Sequence, residues 1–273
     1  MLTRLTVNSA NATATPAFCL VQITDCHLGA SPGSSLLGMD TDHSLDEVLA
    51  LVQRQHPHID MLVVSGDLSG DSSAAAYQRL LPKLEGLADT IVWLPGNHDE
   101  PATMHQCAGE ALMPKQATLG NWQLLFLNSA VSGQVGGHLA ESELALCRQH
   151  PCDSNTLIFV HHHLNELGAE WLDEQLIDNA DALFDILDDK PGVAAIVSGH
   201  VHQASAQRHR QQRLLTTPST CIQFAPGSRD FALDDLNPGY RWFTLHTDGN
   251  WQTGVERVSG VEFTVDKTAN GYE

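Results

Sequence analysis

Five short apolar runs in this chain, 18–24, 61–65, 91–95, 157–160 and 194–198, all stop at side chains able to bind metal ions. The blocks that end them read Asp25-Cys26-His27, Gly66-Asp67, Gly96-Asn97-His98-Asp99, His161 and Gly199-His200-Val201-His202. Runs this short and continuous, rich in Val, Ile and Leu, have the character of strands buried on both faces. They alternate with helix-like segments, which is the pattern of an α/β domain. In open α/β sheets, ligands bind outside the carboxyl ends of the strands. Five strand ends carrying Asp, His and Asn are therefore expected to meet at one rim.

Such a rim poses a coordination problem. Two metal ions about 3.5–4 Å apart need a bridging ligand, terminal ligands for each ion, and open positions for water and substrate. Asp67 has two carboxylate oxygens and is able to bridge. Strand alternation would put Asp25 and His27, two positions apart, on one side, and the same logic serves His200 and His202. Asn97 offers a neutral carbonyl oxygen and His161 an imidazole. Glycines 66, 96 and 199 are expected to let the backbone turn sharply as it leaves each strand. Oxygen and imidazole donors without thiolates suit manganese, iron or zinc. The bland readings are that Gly-Asp is a common turn and that single histidines at strand ends are structural. Five blocks in this order, each at a strand end, are hard to obtain from turn chemistry alone, and they point to hydrolysis.

Length and charge narrow the substrate. A chain of 273 residues can bury a full core. The formal net charge is −19, from 14 basic and 33 acidic residues, and such a surface repels a nucleic-acid backbone. A small anion remains compatible, because metal charge overrides net charge locally. The six cysteines form no CxxC pair and read as reduced thiols. Residues 1–17 lack a continuous apolar core and do not read as a signal peptide, and no apolar run approaches the ~18 residues needed to span a bilayer. The expectation is a cytoplasmic protein without a membrane or nucleic-acid partner.

Along the chain, residues 18–262 read as a single domain, preceded by a flexible extension over 1–17 and followed by a polar tail over 263–273. A helix is predicted over 44–55, where Leu45, Val48, Leu49 and Val52 share a face and Ser44 and Glu47 form a capping box. Further helices are predicted over 72–85, 141–149 and 171–189. A strand pair is expected near 119–128. Beyond residue 204 the pattern is β-like, with a hairpin turn at Asp248-Gly249.

The order of the blocks resembles the calcineurin-like metallophosphoesterase superfamily. That resemblance implies a four-layer α/β/β/α sandwich of two mixed sheets flanked by helices. It also implies that Asp25, His27, Asp67 and His202 hold one metal, and Asp67, Asn97, His161 and His200 the other. His98 matches the family's non-ligand histidine near the leaving group, with three roles open to it: general acid, electrostatic donor, or partner of Asp67. His27, Asp67, Asn97, His98 and His202 are the implied substrate contacts. The stretches 36–44, 73–80, 92–99, 161–173, 213–221 and 237–249 are similar to bacterial class III 3′,5′-cyclic AMP phosphodiesterases. A cyclic nucleotide opened to 5′-AMP by hydroxide from two divalent or trivalent ions is the implied chemistry. Other small diesters are the alternative, and a non-catalytic cyclic-nucleotide sensor the remote one. One departure is Leu164 after His161-His162-His163, where a proline is expected. His162 and His163 are read as lining the rim or packing, Cys26 as packing in the core, and Asp99 as an acceptor that stabilises its loop.

Overall fold

The computed structural model describes residues 4–7, 17–151 and 155–271. In chain order the elements are β1 (Arg4–Val7), β2 (Ala17–Ile23), β3 (Ser35–Leu36), β4 (Met39–Asp40), α1 (Thr41–Gln55), β5 (Met61–Ser65) and α2 (Ala74–Leu84). Then come β6 (Thr90–Leu94), α3 (Pro101–Ala108), β7 (Gln116–Leu119), β8 (Trp122–Leu127), α4 (Glu141–Gln149), β9 (Thr156–Val160) and α5 (Glu170–Asp173). The last are α6 (Ala180–Leu187), β10 (Val193–Ser198), β11 (Ser205–His209), β12 (Gln212–Thr216), β13 (Gly239–His246) and β14 (Trp251–Arg257).

Two mixed sheets form, ordered β1-β7-β8-β9-β10-β12-β11 and β14-β13-β2-β5-β6. Within the second, β2, β5 and β6 run parallel. Within the first, β8, β9, β10 and β12 do. Alternation along each strand divides its apolar residues between two cores. Leu20, Met61, Val63 and Val92 face Leu124, Phe126, Leu157, Phe159 and Val197 between the sheets. Their neighbours Val21, Ile23, Leu62 and Val64 pack instead under α1 and α2, against Leu45, Val48, Tyr77 and Leu80. Leu125, Ile158 and Ile196 pack under α4 and α6. Burial on both faces explains why these strands are apolar throughout, and the result is the expected sequence of layers, helix, sheet, sheet, helix.

Local departures have local causes. The first helix starts at Thr41, and its cap is Asp40, whose carboxylate accepts the His43 N–H at 3.0 Å. No Ser44–Glu47 box forms. Ser44 lies inside the first turn, where its hydroxyl donates to the Thr41 carbonyl. The predicted 171–189 helix is two pieces, α5 and α6. Between them Asn179 turns aside to bond the backbone of Leu139 through both its amide oxygen and its amide nitrogen.

At the N-terminus, Arg4–Val7 adds an edge strand in parallel with β7, so part of the predicted extension is sheet, while 1–3 and 8–16 lie outside the described residues. At the other end, Phe263 and Val265 pack against the cluster holding Met39, Ile222 and Phe224, and Asp266 N–H donates to the Leu37 carbonyl. The tail is thus docked over 263–266. The five described cysteines are free thiols, and Cys152 lies outside the described residues. No described helix is long and apolar enough to cross a membrane.

Candidate metal centre

All seven predicted ligands gather where β2, β5 and β6 of one sheet meet β9 and β10 of the other. Backbone bonds align the exits: Asp25 N–H donates to the Gly66 carbonyl at 2.9 Å and His27 N–H to the Asp67 carbonyl at 2.8 Å. Bonds between the sheets then fix the depth. His161 Nδ1–H donates to the Ser65 carbonyl at 2.9 Å, and His200 N–H donates to the Asp25 carboxylate at 3.0 Å.

Strand alternation is not what brings the pairs together. Both Asp25 and His27 lie beyond the end of β2, and both are left-handed, with φ of 55° and 46°. Asp67, His200 and His202 share that conformation, at φ of 50°, 65° and 48°. Asp and His tolerate this region better than most residues, yet each still costs about 1 kcal/mol or more. Strain of this kind persists where the surroundings over-determine it, typically at functional sites.

The glycines also act differently from expectation. Gly66 does turn with φ of 100°, but Gly96 and Gly199 are required for close approach. A Cβ on Gly96 would lie 2.2 Å from Asp67 Oδ1, and one on Gly199 would lie 2.7 Å from Asp25 Oδ2.

The donor atoms face one another across gaps that a cation can fill. The Ser65 carbonyl only accepts, so Nδ1 of His161 carries the proton and Nε2 of the neutral ring is bare. That bare nitrogen faces only oxygens: Asn97 Oδ1 at 3.2 Å, Asp67 Oδ2 at 3.4 Å and Asp25 Oδ1 at 4.0 Å. His202 repeats the device, with Nδ1–H donating to the Ile222 carbonyl and Nε2 lying 3.3 Å from Asp25 Oδ1 and 3.2 Å from His27 Nε2. His27 Nε2 is 3.6 Å from Asp67 Oδ2. The His200 ring packs 5.2 Å from that of His161, and its Nε2 is buried without a hydrogen-bond partner. Carboxylate, amide oxygen and imidazole around two such foci fit a pair of divalent ions of the manganese, iron or zinc type.

The electrostatics say the same. Burial alone would push both carboxyls up; instead His202 and His161 hold Asp25 below its usual range, and His161, His27 and His98 hold Asp67 well below. Burial pushes His27 down to about 3 and His200 well below the usual imidazole value, so both stay neutral, as ligands must. For His161, burial is outweighed by Asp67 and Asp25, which raise it to about 9. A proton on Nε2, or a cation in its place, therefore balances the two carboxylates.

His98 is half-buried at the mouth. Its backbone N–H donates to Asp67 Oδ1 at 2.9 Å, and its ring lies edge-on to His27 at 5.0 Å. Asp99 accepts from Gly96 N–H, Ser69 N–H, Leu68 N–H and Tyr77 O–H, tying the exits of β5 and β6 together. Cys26 is fully buried in the apolar core.

Several supporting residues carried no sequence signal beyond the resemblance. In the 213–221 stretch, Ser219 Oγ donates to the Asp25 carbonyl at 2.9 Å and Cys221 Sγ approaches the same oxygen. Phe224 stacks on His202 with centroids 4.3 Å apart. His162 and His163 are not at the rim: both are buried, and burial pushes their rings down to about 3 and about 4.

Comparison with known proteins gives a consistent result. Residues 20–204 match the calcineurin-like phosphoesterase family. The 3′,5′-cyclic adenosine monophosphate phosphodiesterase CpdA of Pseudomonas aeruginosa is 42% identical over 96% of this chain and 98% of its own length. CpdA of Escherichia coli K12 is 38% identical over 93% and 94%. In fold, a dimetal phosphatase from Danio rerio aligns with a TM-score of 0.59 at 15% identity, covering 89% of this chain and 99% of that one. The purple acid phosphatase of yellow lupin aligns at 0.63 and 12% identity, covering 92% and 53%.

Proposed function

The chain belongs to the calcineurin-like phosphoesterases, and from that premise we propose that it is a metal-dependent phosphodiesterase that hydrolyses 3′,5′-cyclic AMP to 5′-AMP. The observation that carries the reading is Nε2 of His161 facing three oxygens, in a chain similar over nearly its whole length to cyclic AMP phosphodiesterases. Asp25, His27, Asp67 and His202 would hold one ion and Asp67, Asn97, His161 and His200 the other, with Asp67 shared. A bound pair supplies hydroxide at neutral pH and positive charge against the phosphoryl oxygens.

The rest is done by the chain. Ser65 and Ile222 fix the tautomers of His161 and His202 through their carbonyls, so the nitrogens that face inward keep their lone pairs. The His98 backbone N–H holds the Asp67 carboxylate in place. To the ring of His98, at the mouth beside His27, we assign the role of giving a proton to the departing 3′-oxygen. His27, Asp67, Asn97, His98 and His202 line the position of the phosphate.

A substrate panel tests this on enzyme reconstituted separately with Mn²⁺, Zn²⁺ and Fe²⁺. It holds 3′,5′-cyclic AMP, 3′,5′-cyclic GMP, 2′,3′-cyclic AMP, a glycerophosphodiester and a chromogenic diester, with products separated by chromatography. Metal-dependent formation of 5′-AMP from 3′,5′-cyclic AMP supports the assignment. Cleavage of the chromogenic diester alone retains the metal chemistry and discards the substrate.

A further inference from the structure

A cavity of about 420 Å³ opens beside Asn97. One side is formed by Ser72, Asn97 and Glu100 and the other by the segment Ala130–Gly133. That second wall belongs to no helix or strand. Its internal bonds are few: Gln134 N–H donates to the Val131 carbonyl, and Ala130 N–H to the Asn128 side chain. Something else must hold it, because a wall made of irregular backbone has no ladder of its own.

Backbone bonds from His138 N–H to the Ser129 carbonyl and from Gly137 N–H to the Leu176 carbonyl hold its ends, and among the described residues the one side chain that grips both ends is His162. Its Nε2 lies 3.0 Å from the Val135 carbonyl, which only accepts, so Nε2 carries the proton. Nδ1 then accepts the Ser129 hydroxyl at 2.7 Å, while Ser129 Oγ in turn accepts the His162 backbone N–H. Both feet of the wall are tied to one imidazole, and every polar group of that imidazole is used. Gly137, at the end of the segment, has no room for a side chain, since its Cβ would lie 2.7 Å from the His162 ring. Val135 itself is 53% exposed, so it is the backbone and not an apolar anchor that is gripped. On its other side the same ring packs 4.9 Å from His161 and 4.5 Å from His200.

We infer that His162 is a positioning residue that sets the 130–133 wall against the metal-bearing strand ends, and that the cavity so formed receives the nucleoside part of a nucleotide diester. This rests on the reading of the centre as a cyclic-nucleotide phosphodiesterase. The phosphate would sit among the ligands, and the cavity beside Asn97 is where an organic group attached to it finds space. His162 touches neither. It couples the wall to the two ligand histidines through hydrogen bonds and ring contacts, so its loss acts on the substrate's organic group more than on the reacting phosphate.

The test compares holoenzyme of the wild type with His162→Ala, His162→Gln and Ser129→Ala. Metal content, amide hydrogen exchange over 129–137, and kcat and KM are measured. The substrates are 3′,5′-cyclic AMP and methyl 4-nitrophenyl phosphate, a diester with no nucleoside. His162→Ala and Ser129→Ala are expected to keep wild-type metal content and to exchange the 129–137 amides about ten-fold faster. They are expected to raise KM for cyclic AMP about ten-fold against about two-fold or less for the small diester. His162→Gln retains an N–H toward Val135 and is expected to recover much of the loss. Equal changes in both KM values, or loss of metal from all three variants, overturn the inference. Wild-type enzyme that cleaves the small diester and leaves cyclic AMP intact sinks the functional reading by itself. The tie is then judged on hydrogen exchange, and unchanged exchange in His162→Ala overturns it.

Discussion

His161 Nε2 lies 3.4 Å from Asp67 Oδ2, a gap that holds either an imidazolium proton or, with the ring neutral, a cation shared by the two atoms. Asp67 is held well below the usual carboxylate range, with His161 its strongest partner, while the other ring nitrogen of His161 donates to the Ser65 carbonyl. A lone pair and a carboxylate held this close in a buried site repel unless a cation lies between them. The relationship between these two side chains therefore predicts that a bound cation displaces the His161 proton and supports both activity and stability.

Removing the metals is the direct consequence. Dialysis against a chelator is expected to abolish phosphodiester hydrolysis and to lower the thermal midpoint by about 5–10 °C, from a loss of ~2–3 kcal/mol of binding linkage. Calorimetry with and without readdition of Mn²⁺ or Zn²⁺ checks it; an unchanged midpoint would argue against a resident pair.

Asp67→Ala removes the proposed bridge. We expect less than one equivalent of metal per chain by elemental analysis and a fall in kcat of about 10³-fold or more. Full metal content in this variant would place the bridge elsewhere.

His98→Ala separates proton transfer from metal holding. The backbone N–H that fixes Asp67 survives the substitution, so metal content should stay at the wild-type level. Turnover should fall about 10²–10⁴-fold if the ring is the general acid. Undiminished turnover would retire that role and leave His98 as a partner of Asp67.

Gly96→Ala tests the close approach. The new methyl would sit 2.2 Å from Asp67 Oδ1, against backbone and a ligand that have no free direction to move. A loss of ~1–3 kcal/mol in stability and a reduced metal content are expected, both read by denaturant titration and elemental analysis.

Thiol chemistry reports on the packing around the centre. Burial pushes the Cys26 thiol up to about 12 and raises that of Cys221 as well. Both should resist alkylation in the native enzyme while the partly exposed Cys107 reacts. Peptide mapping after iodoacetamide treatment at pH 8 decides it; early labelling of Cys221 would mean the 219–221 turn opens readily.

Much of this molecule is legible from its sequence because the strands are buried on both faces. Continuous apolar runs such as Met61–Ser65 can satisfy both sheet faces only in a layered α/β arrangement, and the polar residues that end them then have one rim to occupy. Less legible was anything set by a neighbour distant along the chain. Asp40 takes the cap of α1 and leaves Ser44 inside the first turn, and Asn179 divides a stretch that has helical periodicity throughout, because it bonds Leu139. Arg4–Val7 alternates polar and apolar residues, but four residues are too few to read as a strand without the β7 edge they complete.

The identities and spacing of Asp25, His27, Asp67, Asn97, His161, His200 and His202 were set by the sequence, since side-chain chemistry and strand-end position are local properties. Which nitrogen of His161 and of His202 faces inward was decided only in three dimensions, by the Ser65 and Ile222 carbonyls arriving from other segments. So was the left-handed backbone at five of those residues, which no pleat rule anticipates and which the packed sheets enforce. The role of His162 belongs to the same class. An imidazole reads alike in sequence whether it binds a metal or holds a loop, and only the partners at its two nitrogens tell them apart.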